Sequence, residues 1–236
     1  MLSQALASSH SITRPTLRSR EWGTAAPHSL DEHLSRAPMR GVETKEHVFA
    51  EGDSRLHLYR VETGAICLYK LLPDGRRQVL GFAYPGDLVG LGPPGEHQFN
   101  AQATKPSRLR SLPWSTLQHV ARQDPALGIK LYEVMSQELA AAHDLLLTTG
   151  QRTATERVAA FLLAMSRRSE RKGEDASIID LPMTRSDIGD FLGLTIETVS
   201  RTFTKLRHLG IIDLAQSTHV HIVDMDALEG LAEGGL

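Results

Sequence analysis

The sequence predicts an α+β chain with an N-terminal antiparallel β-roll of the jelly-roll type, a long dimerisation helix and a C-terminal winged helix-turn-helix. Three observations support this fold class. Short strand-like runs fill residues 40–123, a helical pattern follows over 124–150, and two short helices with a hairpin are predicted within 151–236. Residues 1–39, rich in Ser, His, Arg, Pro and Ala, are predicted to form a mostly mobile tail with a short helix at 30–35.

The strands of the roll are marked by short apolar or alternating runs. Turn residues separate them at intervals of roughly 8–12 residues, as in antiparallel rolls and barrels. Asp74-Gly75 is typical of a hairpin because glycine tolerates positive φ, and Thr63-Gly64 is interpreted as another turn. The predicted strands are 47–50, 57–61, 65–72, 78–83, 88–91 and 107–113.

The long helix is predicted to begin at Asp124, which can cap it, with Pro125 at its first position. An uncharged stripe then repeats in alternating steps of three and four residues, which is typical of a seam between two chains. A second stripe through Leu131, Val134, Glu138 and Leu145 can face the roll. The alternative is a single core helix within one subunit. The predicted dimer seam consists of Tyr132, Met135, Leu139, Ala142, Leu146 and Thr149.

Composition and charge limit the function classes. The 236 residues carry a formal net charge of −2, so any affinity for nucleic acid must come from a local patch. The sequence contains no run of about 20 apolar residues, so no transmembrane helix is predicted. The N-terminus lacks the pattern of a signal peptide. The single cysteine, Cys67, cannot form an intrachain disulfide. We therefore expect a cytoplasmic protein without a membrane partner, in which Cys67 is a small apolar residue of a strand.

The C-terminal segment has the spacing of a helix-turn-helix. Thr184 and Asp187 are placed as in a capping box, Gly193 ends the first short helix, and Thr195 is a candidate cap for the second. A helix at 154–169 precedes this unit. The runs 211–214 and 220–223, joined by a polar turn, predict the hairpin of a wing.

The second short helix has a polar side that suits base reading. Arginine can donate twice to guanine, glutamate can accept from the cytosine amino group, and serine can contact several base edges. Residues near the start of such a helix reach the bases. The alternative is a solvated helix face with an ion pair between Glu197 and Arg201. The polar side consists of Ile196, Glu197, Ser200, Arg201 and Lys205.

Residues 45–225 resemble the CRP/FNR superfamily of bacterial regulators, and within it the FixK-like branch. The most specific stretch is 181–201, LPMTRSDIGDFLGLTIETVSR, supported by YPGDLVG at 84–90 and ERVAAF at 156–161. The resemblance implies a homodimeric transcription activator, not an enzyme, that binds double-stranded DNA and RNA polymerase in the control of low-oxygen respiration or nitrogen fixation. The resemblance also implies that the protein acts downstream of an oxygen-sensing two-component system, as FixK-like proteins usually do.

The resemblance also implies roles for individual residues. Glu197, Ser200 and Arg201 would read the bases of a palindrome like TTGA-N4-TCAA, with Ile196 as an additional base-proximal residue. A two-fold dimer would read the two halves. Contacts to phosphates position a protein without specifying sequence. They are implied for Thr184, Arg185, Ser186, Thr195, Thr198 and Ser217.

Two departures from the superfamily bear on regulation. No cysteine precedes Cys67, so the N-terminal cysteine cluster that holds an iron–sulfur centre in FNR-like proteins is missing. Residues 95–100, GEHQFN, lack the arginine that meets the cyclic phosphate in cyclic-AMP receptors. We therefore expect a regulator that is active without a cofactor or ligand. Two alternatives stay open: gating by an unidentified small molecule or gas, and a β-barrel metalloenzyme using His47, His57 and His97.

Overall fold

The chain folds into a β-roll, a long helix and a winged helix, as the sequence predicts. A computed structural model describes residues 30–216 and 218–234. The elements are, in chain order, α1 (Leu30–Arg36), β1 (Met39–Val42), β2 (His47–Phe49), β3 (His57–Leu71), β4 (Arg77–Ala83), β5 (Leu88–Val89), β6 (Asn100–Pro113), α2 (Trp114–Gln123), α3 (Pro125–Gln151), α4 (Ala154–Arg171), β7 (Ile178–Asp180), α5 (Arg185–Leu192), α6 (Ile196–His208), β8 (Ile212–Gln216), β9 (His219–Ile222) and α7 (Met225–Ala232).

The roll is built around two long antiparallel strands, β3 and β6, which pair from His57 opposite Pro113 to Tyr69 opposite Asn100. The strand order is β1-β6-β3-β4, with β2 also on β6 and β5 on β3. Alternating inward side chains of these strands fill the interior of the roll. The buried set comprises Val42, Val48, Phe49, Tyr59, Val61, Ile66, Ala83, Val89, Ala101, Ala103 and Leu109.

The predicted turn at Thr63-Gly64 is wrong, because both residues lie inside the continuous strand β3. The register shifts on either side of Thr63, so the segment is a bulge that bends the strand. Gly64 has a φ of +90°, and a Cβ at this position would collide with Ser107 of β6. The glycine therefore permits a close approach of two strands, whereas the hairpin predicted at Asp74-Gly75 is confirmed between β3 and β4.

The predicted boundary of the tail at residue 39 is wrong over its last ten residues. Residues 1–29 lie outside the described part of the chain, whereas the short helix predicted near residue 30 is confirmed as α1. Leu30 and Leu34 are buried against Leu58 and Leu117, so α1 belongs to the folded roll. Strand β1 begins at Met39 and pairs with β6.

The long helix α3 is confirmed, and it begins as predicted. The Asp124 side chain accepts a hydrogen bond from the Ala126 amide, with Pro125 in the first turn. The helix α2 before it is not predicted by the sequence patterns above. Leu127 of α3 is buried beneath α1 and α2, but most of the helix beyond it is exposed.

The C-terminal region is a winged helix with one core. Helices α4, α5, α6 and α7 pack around residues that include Leu162, Ile188, Val199 and Phe203, and the three-stranded sheet β7-β9-β8 closes one side. The predicted hairpin of the wing is confirmed as β8 and β9. Strand β7 and helix α7 are additional to the predicted elements, and both contribute buried residues to this core.

None of the helices within residues 30–216 and 218–234 combines the length and the apolar character needed to cross a bilayer.

Candidate nucleic-acid interface

The first helix of the helix-turn-helix, α5, begins with a capping box. The amide and hydroxyl of Thr184 donate to Asp187 Oδ2 at 2.9 and 2.7 Å, and the Asp187 amide donates back to Thr184 Oγ1 at 3.1 Å. Gly193 ends the helix with a φ of +65°, the left-handed conformation that favours glycine at this position. Both ends of α5 are therefore placed by the residues from which the sequence predicts them.

The turn between α5 and α6 depends on a second glycine, which the sequence patterns do not single out. A Cβ on Gly189 would lie 2.7 Å from the carbonyl oxygen of Leu194, so only glycine lets the turn pack this closely onto α5. Arg157 Nη1 of α4 donates to the Leu192 carbonyl at 3.0 Å and satisfies the end of α5. These contacts hold α5 and α6 at a fixed angle.

Helix α6 separates a buried side from an exposed polar side. Val199, Phe203 and Leu206 face the core, while Glu197, Ser200 and Arg201 are exposed together on the first two turns. Ile196 is 47% exposed beside them. The predicted base-reading residues therefore share one surface.

The charge states of this surface suit hydrogen bonding to bases. Hydrogen bonds from its own backbone and from Thr195 hold the pKa of the Glu197 carboxyl below its usual range, with a smaller contribution from Arg201. Glu197 is therefore an acceptor at neutral pH. Arg201 Nε donates to the Glu197 carbonyl oxygen at 3.4 Å, so this contact differs from the side-chain ion pair considered above. Helix α6 also carries Lys205 and Arg207. These two cations give this region local positive charge, although the chain as a whole has a net charge of −2.

The residues predicted to contact phosphates fall into three groups. Thr184 and Ser186 are exposed at the start of α5. Thr195 is exposed beside the partly buried Thr198 at the start of α6. The start of a helix attracts anions such as phosphate. The guanidinium of Arg185 instead lies 3.3 Å from the ring centroid of Phe203, and burial lowers its pKa to about 10. Arg185 is thus a link between α5 and α6. Ser217 lies outside the described residues.

The histidines of the roll have separate local contacts. His47 Nε2 lies 2.9 Å from Tyr69 Oη, His57 lies near Tyr59 with ring centroids 6.0 Å apart, and buried His97 stacks on Phe49 with centroids 3.5 Å apart. Among the described residues, no three His, Cys, Asp or Glu side chains are grouped so that they could hold a metal ion.

Comparison with known proteins identifies the family. Residues 39–124 match the model of the cyclic nucleotide-binding domain, and residues 156–231 match that of the Crp-like helix-turn-helix domain. The nitrogen fixation regulation protein FixK of Bradyrhizobium diazoefficiens is 40% identical over 85% of this chain and 84% of its own length. The chain belongs to the CRP/FNR family. A second relative, the transcriptional activatory protein AadR of Rhodopseudomonas palustris, is 37% identical over 88% of this chain and 85% of its own length.

The solved structures agree with this family. The structure of FixK2 from Bradyrhizobium japonicum superposes with a TM-score of 0.78 at 38% identity, covering 83% of this chain and 96% of that one. As a CRP/FNR protein with a Crp-like helix-turn-helix, the chain is a DNA-binding regulator and not an enzyme. The metalloenzyme alternative is therefore wrong, and the predicted superfamily and fold class are confirmed.

Proposed function

We propose that this chain is a homodimeric, FixK-like transcription activator that binds a palindrome like TTGA-N4-TCAA without cyclic nucleotide or an iron–sulfur cluster. The observation that carries the proposal is the exposed group of Glu197, Ser200 and Arg201 at the start of α6. The TTGA half-site contains one G·C pair. Arg201 would donate to the guanine and Glu197 would accept from the paired cytosine.

The exposed stripe of α3 supports the homodimer. Tyr132, Met135, Leu139 and Leu146 are 72, 54, 58 and 68% exposed, while the neighbouring Leu131, Val134 and Leu145 are partly buried within the same chain. Such a run of large apolar side chains is unfavourable in water unless a second surface covers it. A second copy of α3 offers the same heptad-like stripe, and two-fold pairing would place one reading helix at each half-site.

The residues of the roll support activity without a ligand. A cyclic phosphate needs a cation, and the segment from Gly95 to Asn100 has none. Cys67 is buried, and its desolvation raises the pKa of the thiol to about 12 although Arg77 acts in the opposite direction. A thiol of this kind is a poor metal ligand or redox centre at neutral pH.

The names of two relatives support a proposal for the role in the cell. FixK is a nitrogen fixation regulation protein and AadR is a transcriptional activatory protein. We assign this chain to the same kind of control, in the cytoplasm and with RNA polymerase as a partner at activated promoters.

Apo protein binding to DNA tests the proposal directly. Purified chain should bind a fluorescent TTGA-N4-TCAA duplex at least about 10³-fold more tightly than a scrambled duplex at the same salt concentration. Absence of specific binding without added ligand would refute ligand-independent activity.

The dimer has its own test at the centre of the stripe. Leu139→Asp should convert the protein to a monomer in sedimentation experiments, because two buried carboxylates would face each other at the seam. Gln137→Asp, which adds the same charge on the opposite side of α3, is the matched control and should leave the dimer intact. A dimeric Leu139→Asp variant would contradict the assigned seam.

A second candidate is gating by a small anion in the roll. Arg55 is 7% exposed, and its Nε and Nη1 atoms lack hydrogen-bond partners within the described part of the chain. Its guanidinium lies 3.9 Å from the Trp114 ring centroid. This candidate predicts that DNA affinity rises only when a phosphate or carboxylate compound is added, and that Arg55→Met abolishes the rise.

A further inference from the structure

The β-roll contacts the first helix of the helix-turn-helix directly, through the edge strand β4 and α5. Arg77 Nη1 lies 2.6 Å from Asp187 Oδ1 and 3.4 Å from Asp190 Oδ2. The neighbouring Gln78 Nε2 donates to the Asp190 carbonyl at 2.9 Å. We call this set of residues the β4–α5 contact. It joins the two halves of the chain across more than one hundred residues of sequence.

Asp187 has two roles at this contact. Its Oδ2 atom accepts the two hydrogen bonds from Thr184 that begin α5, and its Oδ1 atom accepts from Arg77. The residue is only 8% exposed. The carboxylate that caps the first helix of the helix-turn-helix is therefore the same group that Arg77 of the roll binds.

Arg77 is itself held on its other side by the roll. Its guanidinium lies 4.4 Å from the Tyr69 ring centroid, and Nη2 donates to Cys67 Sγ at 3.0 Å. An arginine fixed in this way presents its donors in one direction, so little conformational freedom is lost when the carboxylates bind. The contact thus constrains direction as well as distance.

Aromatic packing lies beside the ion pairs. The rings of Phe82 in β4 and Phe191 in α5 have centroids 5.6 Å apart, and Phe161 of α4 lies 6.0 Å from Phe191 on another side. Phe191 is therefore packed between the roll and the core of the winged helix. A rotation of α5 relative to β4 would break both the aromatic packing and the ion pairs.

We propose that Arg77 is a positioning residue for DNA recognition, which sets the angle of the reading helix α6 relative to α3 through Asp187 and α5. The proposal rests on the proposed function, because the two reading helices of a dimer must match the spacing of two half-sites. Since Gly189 and Gly193 join α5 closely to α6, an error in the angle of α5 displaces the base-reading residues. The roll then acts as a fixed support that selects the half-site spacing.

The test measures spacing preference. Arg77→Met removes the guanidinium but keeps most of the side-chain length. Arg76→Met is the matched control because, among the described residues, the Arg76 side chain is paired only with exposed Asp74. Affinity is measured for palindromes with the four-base-pair spacer and with spacers one base pair shorter or longer. Wild type and Arg76→Met should prefer the four-base-pair spacer. In Arg77→Met, the ratio of the affinity for the four-base-pair spacer to the affinity for the other spacers should fall by at least about fivefold, while the protein remains a dimer. A change of this size is typical of coupling between two sites.

A conservative variant covers the case in which Arg77→Met does not fold. Arg77→Lys keeps one positive charge but cannot form the same directed pair of contacts, so its preference should lie between those of wild type and Arg77→Met. A wild-type spacing preference in a folded, dimeric Arg77→Met or Arg77→Lys protein overturns the proposal.

Hydrogen exchange separates this inference from the proposed function. In the DNA-free protein, Arg77→Met should speed amide exchange in peptides covering β4 and α5, and Arg76→Met should not. If the wild type fails to bind the palindrome, the proposed function fails, and exchange still decides the inference. Unchanged exchange in α5 on loss of the guanidinium would show that Arg77 does not hold this helix.

Discussion

The winged helix and the β-roll use their polar chemistry in opposite directions. In the winged helix, Glu197 and Arg201 are exposed on one surface of α6. In the roll, Arg55 lies over Trp114, buried His97 stacks on Phe49 and Cys67 is 1% exposed. The contrast indicates that recognition lies with the winged helix, and that the roll influences it through packed contacts between the two regions.

The largest expected effect lies on the exposed side of this contrast. Arg201→Ala should weaken binding to the TTGA-N4-TCAA duplex by about 1–3 kcal/mol for each affected base contact and relax the preference at the G·C pair. Arg207→Ala removes the same charge from the last turn of α6 and should weaken all sequences alike. Titrations against duplexes with single-base changes measure both effects; equal selectivity of the two variants would place base reading elsewhere.

The next effect concerns the support beneath that surface. Gly189→Ala should destabilise the protein by about 1–3 kcal/mol, because the new methyl group would force the Leu194 carbonyl away from α5. Gly41→Ala, where a Cβ meets nothing within 4 Å, is the control. Thermal unfolding gives the comparison. Equal melting temperatures would mean that the turn adapts without cost.

A smaller effect should appear where the two regions meet. Burial raises the pKa of the Asp187 carboxyl, but hydrogen bonds from Arg77 and Thr184 outweigh this and hold the pKa below its usual range. Such a group stabilises the fold above its unfolded pKa of about 3.9, and the stabilisation is lost as the pH falls through the folded pKa. Burial raises the pKa of neighbouring Asp190, which gives the opposite slope.

The two slopes are separated by comparing variants in denaturant titrations across the acidic range. In the wild type, protonation of Asp187 should lower the free energy of unfolding as the pH falls. Asp187→Asn should remove this part of the decrease. A variant whose free energy falls with pH as steeply as that of wild type would show that the carboxylate is not stabilised by the roll.

The smallest effect is expected inside the roll. Because burial raises the pKa of Cys67 to about 12, a thiol-reactive dye should not label the native protein at neutral pH but should label it fully in denaturant. DNA affinity should be the same before and after exposure to the dye. Rapid labelling of the native protein would show that the roll exposes reactive chemistry after all.

Local signals predicted the helix-turn-helix better than they predicted the long-range contacts around it. The capping box of Thr184 and Asp187, the left-handed Gly193 and the two sides of α6 each depend on residues within a few positions of one another. The sequence therefore indicates the helix-turn-helix and its exposed side. For the same reason it indicates the start of α3 at Asp124 and the hairpin at Asp74-Gly75.

Features that depend on distant residues were not predicted. Gly64 has the appearance of a turn, but its neighbour is Ser107, and only the pairing of β3 with β6 makes it a bulge. Arg77 and Asp187 meet across 110 positions, and no periodicity relates them.

Helix α7 had a local signal, since the Asp224 side chain accepts from the Ala227 amide at 2.9 Å, but Gly230 weakens its helical pattern.

The position of α5 also has a consequence for how the protein behaves in a crowded cell. Strand β4 is the last strand of its sheet path, and an edge strand presents backbone donors and acceptors that can pair with another chain. Helix α5 packs against this strand through Gln78 and Phe82. If the helix-turn-helix swung away from the roll, strand β4 would be uncovered. Mutations that loosen the β4–α5 contact should therefore raise the tendency of the protein to aggregate.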